Sequence, residues 1–125
     1  MNRHSKAPMR TLELKADKLW QEAVMLKFNG HCAFDFTKPA SCGHHIIGRS
    51  NKSTRHKLMN GIALSVERHA WAHSHPDELM ELLERGYPSL LLWHEEHKNG
   101  PIRTRFQDDV RMDIAILQQA IRDLL

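Results

Sequence analysis

The chain lacks any apolar run near the ~20 residues that a membrane-spanning helix needs, so a transmembrane protein is not expected. Thiols are scarce: Cys32 and Cys42 are the only cysteines, enough for one disulfide at most. The basic opening "MNRHSKAPMR" leads into no signal-peptide core, so a cytoplasmic protein with reduced thiols is expected. Internal repeats and low-complexity segments are missing as well, which sets aside repeat arrays. What is present is 125 residues, 41% hydrophobic and 26% charged, the size and composition of one soluble globular domain with one core.

The net charge of +3 conceals an asymmetry. Up to Lys57 there are 11 Lys+Arg against 4 Asp+Glu, a balance of +7; from Leu58 onward the count is 7 against 11, a balance of −4. A positive half fits a polyanion-binding face, with nucleic acid the first candidate, and fits a solvated basic surface equally well.

Residues 1–10 read as a flexible arm. From Thr11 to Phe28, the apolar positions Leu12, Ala16, Leu19, Trp20, Ala23, Val24 and Phe28 form a helical stripe, stopped by Asn29-Gly30. "HCAFDF" reads as a strand or knuckle and "TKPASCG" as turn chemistry. "HHII" and "GIALS" read as strands on either side of the polar, basic loop "GRSNKSTRHKLMN". "VERHAWAHS" is an expected helix closed by Pro76, followed by short helices over Asp77–Arg85 and Pro88–Lys98. A last helix opens near Gln107. Its stripe Val110, Ile114, Leu117, Ile121 and Leu124 fits packing on the first helix or, as the second choice, a homodimer seam through the C-terminal helix.

Ten histidines make chance pairs common, but four fall in telling places. His69 and His73 are four apart on an expected helix, so both rings share one face, a spacing by which a helix offers two imidazoles to one metal ion. "HHII" supplies a third imidazole, because neighbouring strand residues point to opposite faces. If His44 turns toward the helix pair, His45 turns away, where an unligated imidazole with a near-neutral pKa can act as a general base. "HEEH", from His94 to His97, has no zinc-protease spacing and reads as helix surface; His75, before Pro76, reads as a helix end.

Strand with "HH", basic loop, Asn60, second strand and a helix bearing His69 and His73 resembles the HNH, or ββα-metal, endonucleases, and most of all the colicin-type DNases with three histidine ligands. "ADKLWQEAV", "HHIIGRSNKSTR" and "NGIALS" give a second, looser resemblance to the NinG/Rap-type phage recombination nucleases. The resemblance implies an α+β fold, one domain over residues 1–125. A small, treble-clef-like ββα-metal core over 31–75 is then flanked by the helix at 11–28 and by C-terminal helices over 77–125. It implies metal ligands His44, His69 and His73, catalytic residues His45 and Asn60, and one divalent ion, with zinc, nickel, manganese and magnesium as candidates. Asn60 would tie the loop that aims His45, and Arg49, Lys52, Arg55 and Lys57 would hold DNA phosphates.

The implied activity is metal-dependent hydrolysis of DNA phosphodiester bonds, giving 5′-phosphate and 3′-hydroxyl ends. Backbone or shape recognition is expected, as in recombination or in processing branched or nicked DNA. The alternative is a non-catalytic, metal-stabilised nucleic-acid-binding module. The chain departs from the family in one respect: of the two Cys-x-x-Cys knuckles that hold a structural zinc in many HNH proteins, only Cys32 remains, with Asp35, Ser65 and Arg68 at the other positions. Phe34, Phe36, Ile62 and Leu64 are expected to hold that shell instead. Cys42 reads as a buried thiol or a remote ligand.

Overall fold

The computed structural model describes residues 8–101 and 103–125. Most of the expected arm, residues 1–7, lies outside the described residues, while Met9 and Arg10 already belong to the first helix, α1 (Met9–Lys27). Helix α1 stops because Asn29 and Gly30 take left-handed conformations, with φ of 55° and 74°, and the Gly30 N–H returns to the Met25 carbonyl at 2.9 Å.

Four short strands follow: β1 (His31–Cys32), β2 (Asp35–Pro39), β3 (Cys42–His45) and β4 (Gly61–Leu64). They form two antiparallel pairs, β1 with β2 and β3 with β4. Helices α2 (Val66–Ser74), α3 (Pro76–Gly86), α4 (Pro88–His97) and α5 (Gln107–Leu124) complete an α+β fold. Strand β2 runs through "TKP", expected as a turn. Strand β3 is "CGHH" rather than "HHII", because Asn60 ends it: its carbonyl takes the Ile46 N–H at 3.1 Å and its side-chain oxygen takes that of Ile47 at 2.7 Å.

The β3–β4 hairpin lies between two helices. On one side α1 presses against bare backbone, with Trp20 and Val24 over Gly43 and Gly61. A Cβ added to Gly61 would lie 2.8 Å from Trp20 Cζ2 and collide with Val24, so α1 can approach only where the strands carry no side chain. On the other side sits α2, N-capped by Ser65, whose hydroxyl accepts the Arg68 N–H at 3.2 Å. The register pairs His44 with Ile62 and His45 with Gly61. Ile62, Ala63 and Leu64 are fully buried in the main core with Trp20, Val24, Cys32 and Leu83.

The shell that a structural zinc would staple is held by other means. The Tyr87 hydroxyl donates to the Ala33 carbonyl at 2.6 Å, and its ring meets Phe28 and Phe34 edge-on at 5.5 and 5.8 Å. Phe34, Ile62 and Leu64 pack there as expected, but Phe36 is 70% exposed and takes no part. At the other end Val110 and Ile114 of α5 close on Leu12 and Ala16 of α1, while Leu117 and Ile121 enter the main core. Four of the five stripe residues are thus used for packing within the chain, as the first choice expected, and only Leu124, 41% exposed, is left outside it. No helix among the described residues is long and apolar enough to cross a membrane.

Candidate metal centre

Strand alternation decides the site. Cys42 and His44 face α2, while Gly43 and His45 face α1. Helix α2 presents His69 and His73 one turn apart, and the three rings His44, His69 and His73 converge with centroid separations of 4.6–5.2 Å. One nitrogen from each lies within 4.8 Å of the others, and no other group of three potential ligands converges this way among the described residues. The Nε2 atoms of His69 and His73 are 3.1 Å apart. Two imidazole nitrogens at ~2.05 Å from a tetrahedral ion stand about 3.3 Å apart, so this spacing fits a shared metal. Burial first, then repulsion from His69, His73 and His45, pushes His44 down to about 4. His69 is lowered too, by burial and by His73. Imidazoles held neutral in this way keep their lone pairs for a cation.

His45 takes the opposite side of the strand. Its ring stacks on Trp20 with a centroid distance of 3.8 Å and an interplanar angle of 8°. Its Nε2 lies 3.0 Å from the Arg55 carbonyl oxygen. A carbonyl only accepts, so Nε2 carries the proton and Nδ1 holds a lone pair, with no partner among the described residues. Burial lowers this ring to about 4, although the Arg55 carbonyl and Asp17 pull the other way. His45 and the triad nevertheless open into one cleft of about 590 Å³, whose wall also includes Gln21, Gly48 and Arg49. The three converging histidines and His45 thus line a single cavity.

Asn60 is fully buried and binds the loop between β3 and β4 from within. Its amide nitrogen donates to the Ile47 and Thr54 carbonyls at 2.9 and 3.1 Å, while its oxygen accepts from Ile47. The loop so fixed carries the Arg55 carbonyl that holds His45.

The four loop cations divide. Arg55, with its side chain 12% exposed, makes a bidentate pair with Asp17 of α1, at 3.0 and 2.6 Å. Lys57 reaches Asp113 of α5 at 2.6 Å, where Arg105 also binds. These two pin the loop to flanking helices. Arg49 and Lys52 stay largely exposed, each 3.4 Å from a carboxylate, Asp17 and Glu13 respectively. Arg49 lines the cleft.

Sequence reasoning missed three members of this arrangement. Asp17 anchors Arg55 and the buried His56, whose Nε2 is 2.8 Å away. Burial alone would raise the Asp17 carboxyl, but Arg55 and His56 together bring it below its usual range. Gln21 clamps Gly43 on both sides, accepting from its N–H at 2.7 Å and donating to its carbonyl at 3.2 Å. Trp20, expected only as core, is the platform for His45. An acidic pair four apart on α1, Glu13 and Asp17, opposite a basic loop was the available signal. His75 caps α2, and His97 stacks on Trp93, both away from the triad. No family model, curated protein or solved structure matches this chain.

Proposed function

We propose that the protein is a metal-dependent endonuclease of the HNH type, with a ββα-metal core made by β3, β4 and α2, acting on DNA phosphodiester bonds. One observation carries this reading: on a single strand, adjacent histidines serve opposite faces, one completing a three-imidazole cluster and the other lining the same cleft with its Nε2 held by the Arg55 carbonyl. A purely structural metal has no need of the second ring.

His44, His69 and His73 would hold one divalent ion. An all-imidazole donor set favours borderline metals such as zinc or nickel over magnesium, which prefers oxygen. When bound, the ion supplies Lewis-acid stabilisation of charge developing on the phosphoryl and leaving oxygens. His45 Nδ1 accepts the proton of the attacking water, and the Arg55 carbonyl keeps the ring in the required tautomer. Trp20 fixes the ring plane by stacking. Arg49, at the cleft wall, contacts a phosphate flanking the scissile bond. With few base-reading groups evident in the sequence, recognition rests on DNA backbone and shape. Processing of branched or nicked DNA, as in phage recombination, is the role this fits.

A second reading, a metal-stabilised nucleic-acid-binding module without catalysis, draws on the packed setting of His45 against Trp20. Incubating linear, nicked and four-way DNA with the protein and each divalent metal distinguishes the two. The nuclease reading expects chelator-sensitive cleavage leaving 5′-phosphates; binding without cleavage under every metal favours the module.

A further inference from the structure

Resting on the metal reading above, we propose that Cys42 is a positioning residue for the metal ligand His69, accepting a hydrogen bond from its Nδ1–H. Cys42 lies two residues before His44 in β3, so both side chains emerge on the α2 side of the hairpin. Its Sγ is 3.2 Å from His69 Nδ1, and the Ser41 hydroxyl stands 3.7 Å behind the sulfur.

The two nitrogens of the His69 ring have separate partners. Nε2 faces His73 Nε2 at 3.1 Å, on the side where the triad converges. A neutral imidazole that gives its Nε2 lone pair to a cation must carry its proton on Nδ1. The sulfur sits where that N–H points, and among the described residues no other group meets this nitrogen. Metal-bound histidines are ordinarily held by a carboxylate or carbonyl on the outer nitrogen. Here a thiol takes the place. It meets the edge of the ring opposite the ligand nitrogen, so Cys42 orients the ligand and is not itself one. It thereby serves the metal site, while the other thiol, Cys32 of β1, is fully buried in the main core.

The test is cobalt(II) titration of the full chain, followed by its visible spectrum, for wild type, Cys42→Ser and Cys42→Ala. Loss of an outer-shell partner typically costs 10–100-fold in metal affinity, so Cys42→Ala should weaken cobalt binding by about that factor and Cys42→Ser, which retains an acceptor, by no more than about threefold. The wild-type spectrum should show no thiolate-to-metal charge transfer. In the metal-free protein, nitrogen NMR should find His69 in the Nδ1–H tautomer in wild type and Cys42→Ser, and a shift toward Nε2–H in Cys42→Ala. Equal cobalt affinity and tautomer in wild type and Cys42→Ala overturn the assignment alone. So does a charge-transfer band lost in Cys42→Ser, which makes the sulfur a ligand, or a serine variant as weak as alanine. A wild-type protein that takes up no cobalt overturns the metal reading and this assignment together.

Discussion

Replacing Asn60 by alanine separates the loop's role from the metal's. The side chain is fully buried and makes three hydrogen bonds, from Ile47 N–H and to the Ile47 and Thr54 carbonyls. Alanine leaves all three backbone groups without their partner. At about 1 kcal/mol for each, near the lower end of the cost of a buried unsatisfied group, the loss is roughly 3 kcal/mol. Residues 46–57 should loosen, and with them the Arg55 carbonyl that fixes the His45 tautomer. Metal ligation should survive, since His44 is held in β3 by its pairing with Ile62 and the other two ligands belong to α2. Urea unfolding gives the first quantity and metal titration the second. A destabilisation below ~1 kcal/mol, or a metal affinity lost along with the loop, would refute the division of labour.

The remaining predictions concern charge, packing and pH. Neutralising Arg49 or Lys52 should lower the salt slope of DNA binding by about one unit each, whereas Arg55→Gln and Lys57→Gln should leave the slope and reduce stability; four equal slopes would return the latter pair to the DNA face. Gly61→Ala forces a Cβ against Val24 and Trp20 and should cost about 1–3 kcal/mol in urea unfolding, part of it recovered by pairing with Val24→Ala. His44 and His45 titrate near 4 in the fold and near 6.5 when unfolded, so between those values the unfolded chain binds more protons. Metal-free protein should therefore be fully stable above about pH 6.5 and lose stability as pH falls toward 4, a slope that His44→Asn should shallow; a pH-independent urea midpoint over that window would contradict it.

What could be read from one sequence was periodic and local. The four-residue spacing of His69 and His73, the opposition of His44 and His45, and the helix stop at Asn29-Gly30 all follow from backbone geometry within a few residues. The frame of β3 was not legible, because it depends on Asn60 capturing Ile46 and Ile47 from 13 or more residues away. The fate of the loop cations was equally hidden. Arg55 finds Asp17 across 38 residues and Lys57 finds Asp113 across 56, pairings that only the tertiary fold creates. Phe36 was misplaced for a related reason: hydrophobicity does not reveal which aromatic reaches the knuckle, and Tyr87 does so from the start of α4.

The central claim is that His45 is a base beside a metal it does not bind. The most direct measurement is single-turnover DNA cleavage by His45→Ala at saturating metal, alongside metal titration and thermal unfolding of the same variant. Loss of the Trp20 stack should lower the melting temperature modestly while leaving metal affinity unchanged. The cleavage rate should fall by on the order of 10²–10⁴-fold, the usual share of a general base. A folded, metal-loaded His45→Ala protein that cuts at the wild-type rate, or a wild type that cuts no DNA with any divalent ion, would contradict the account.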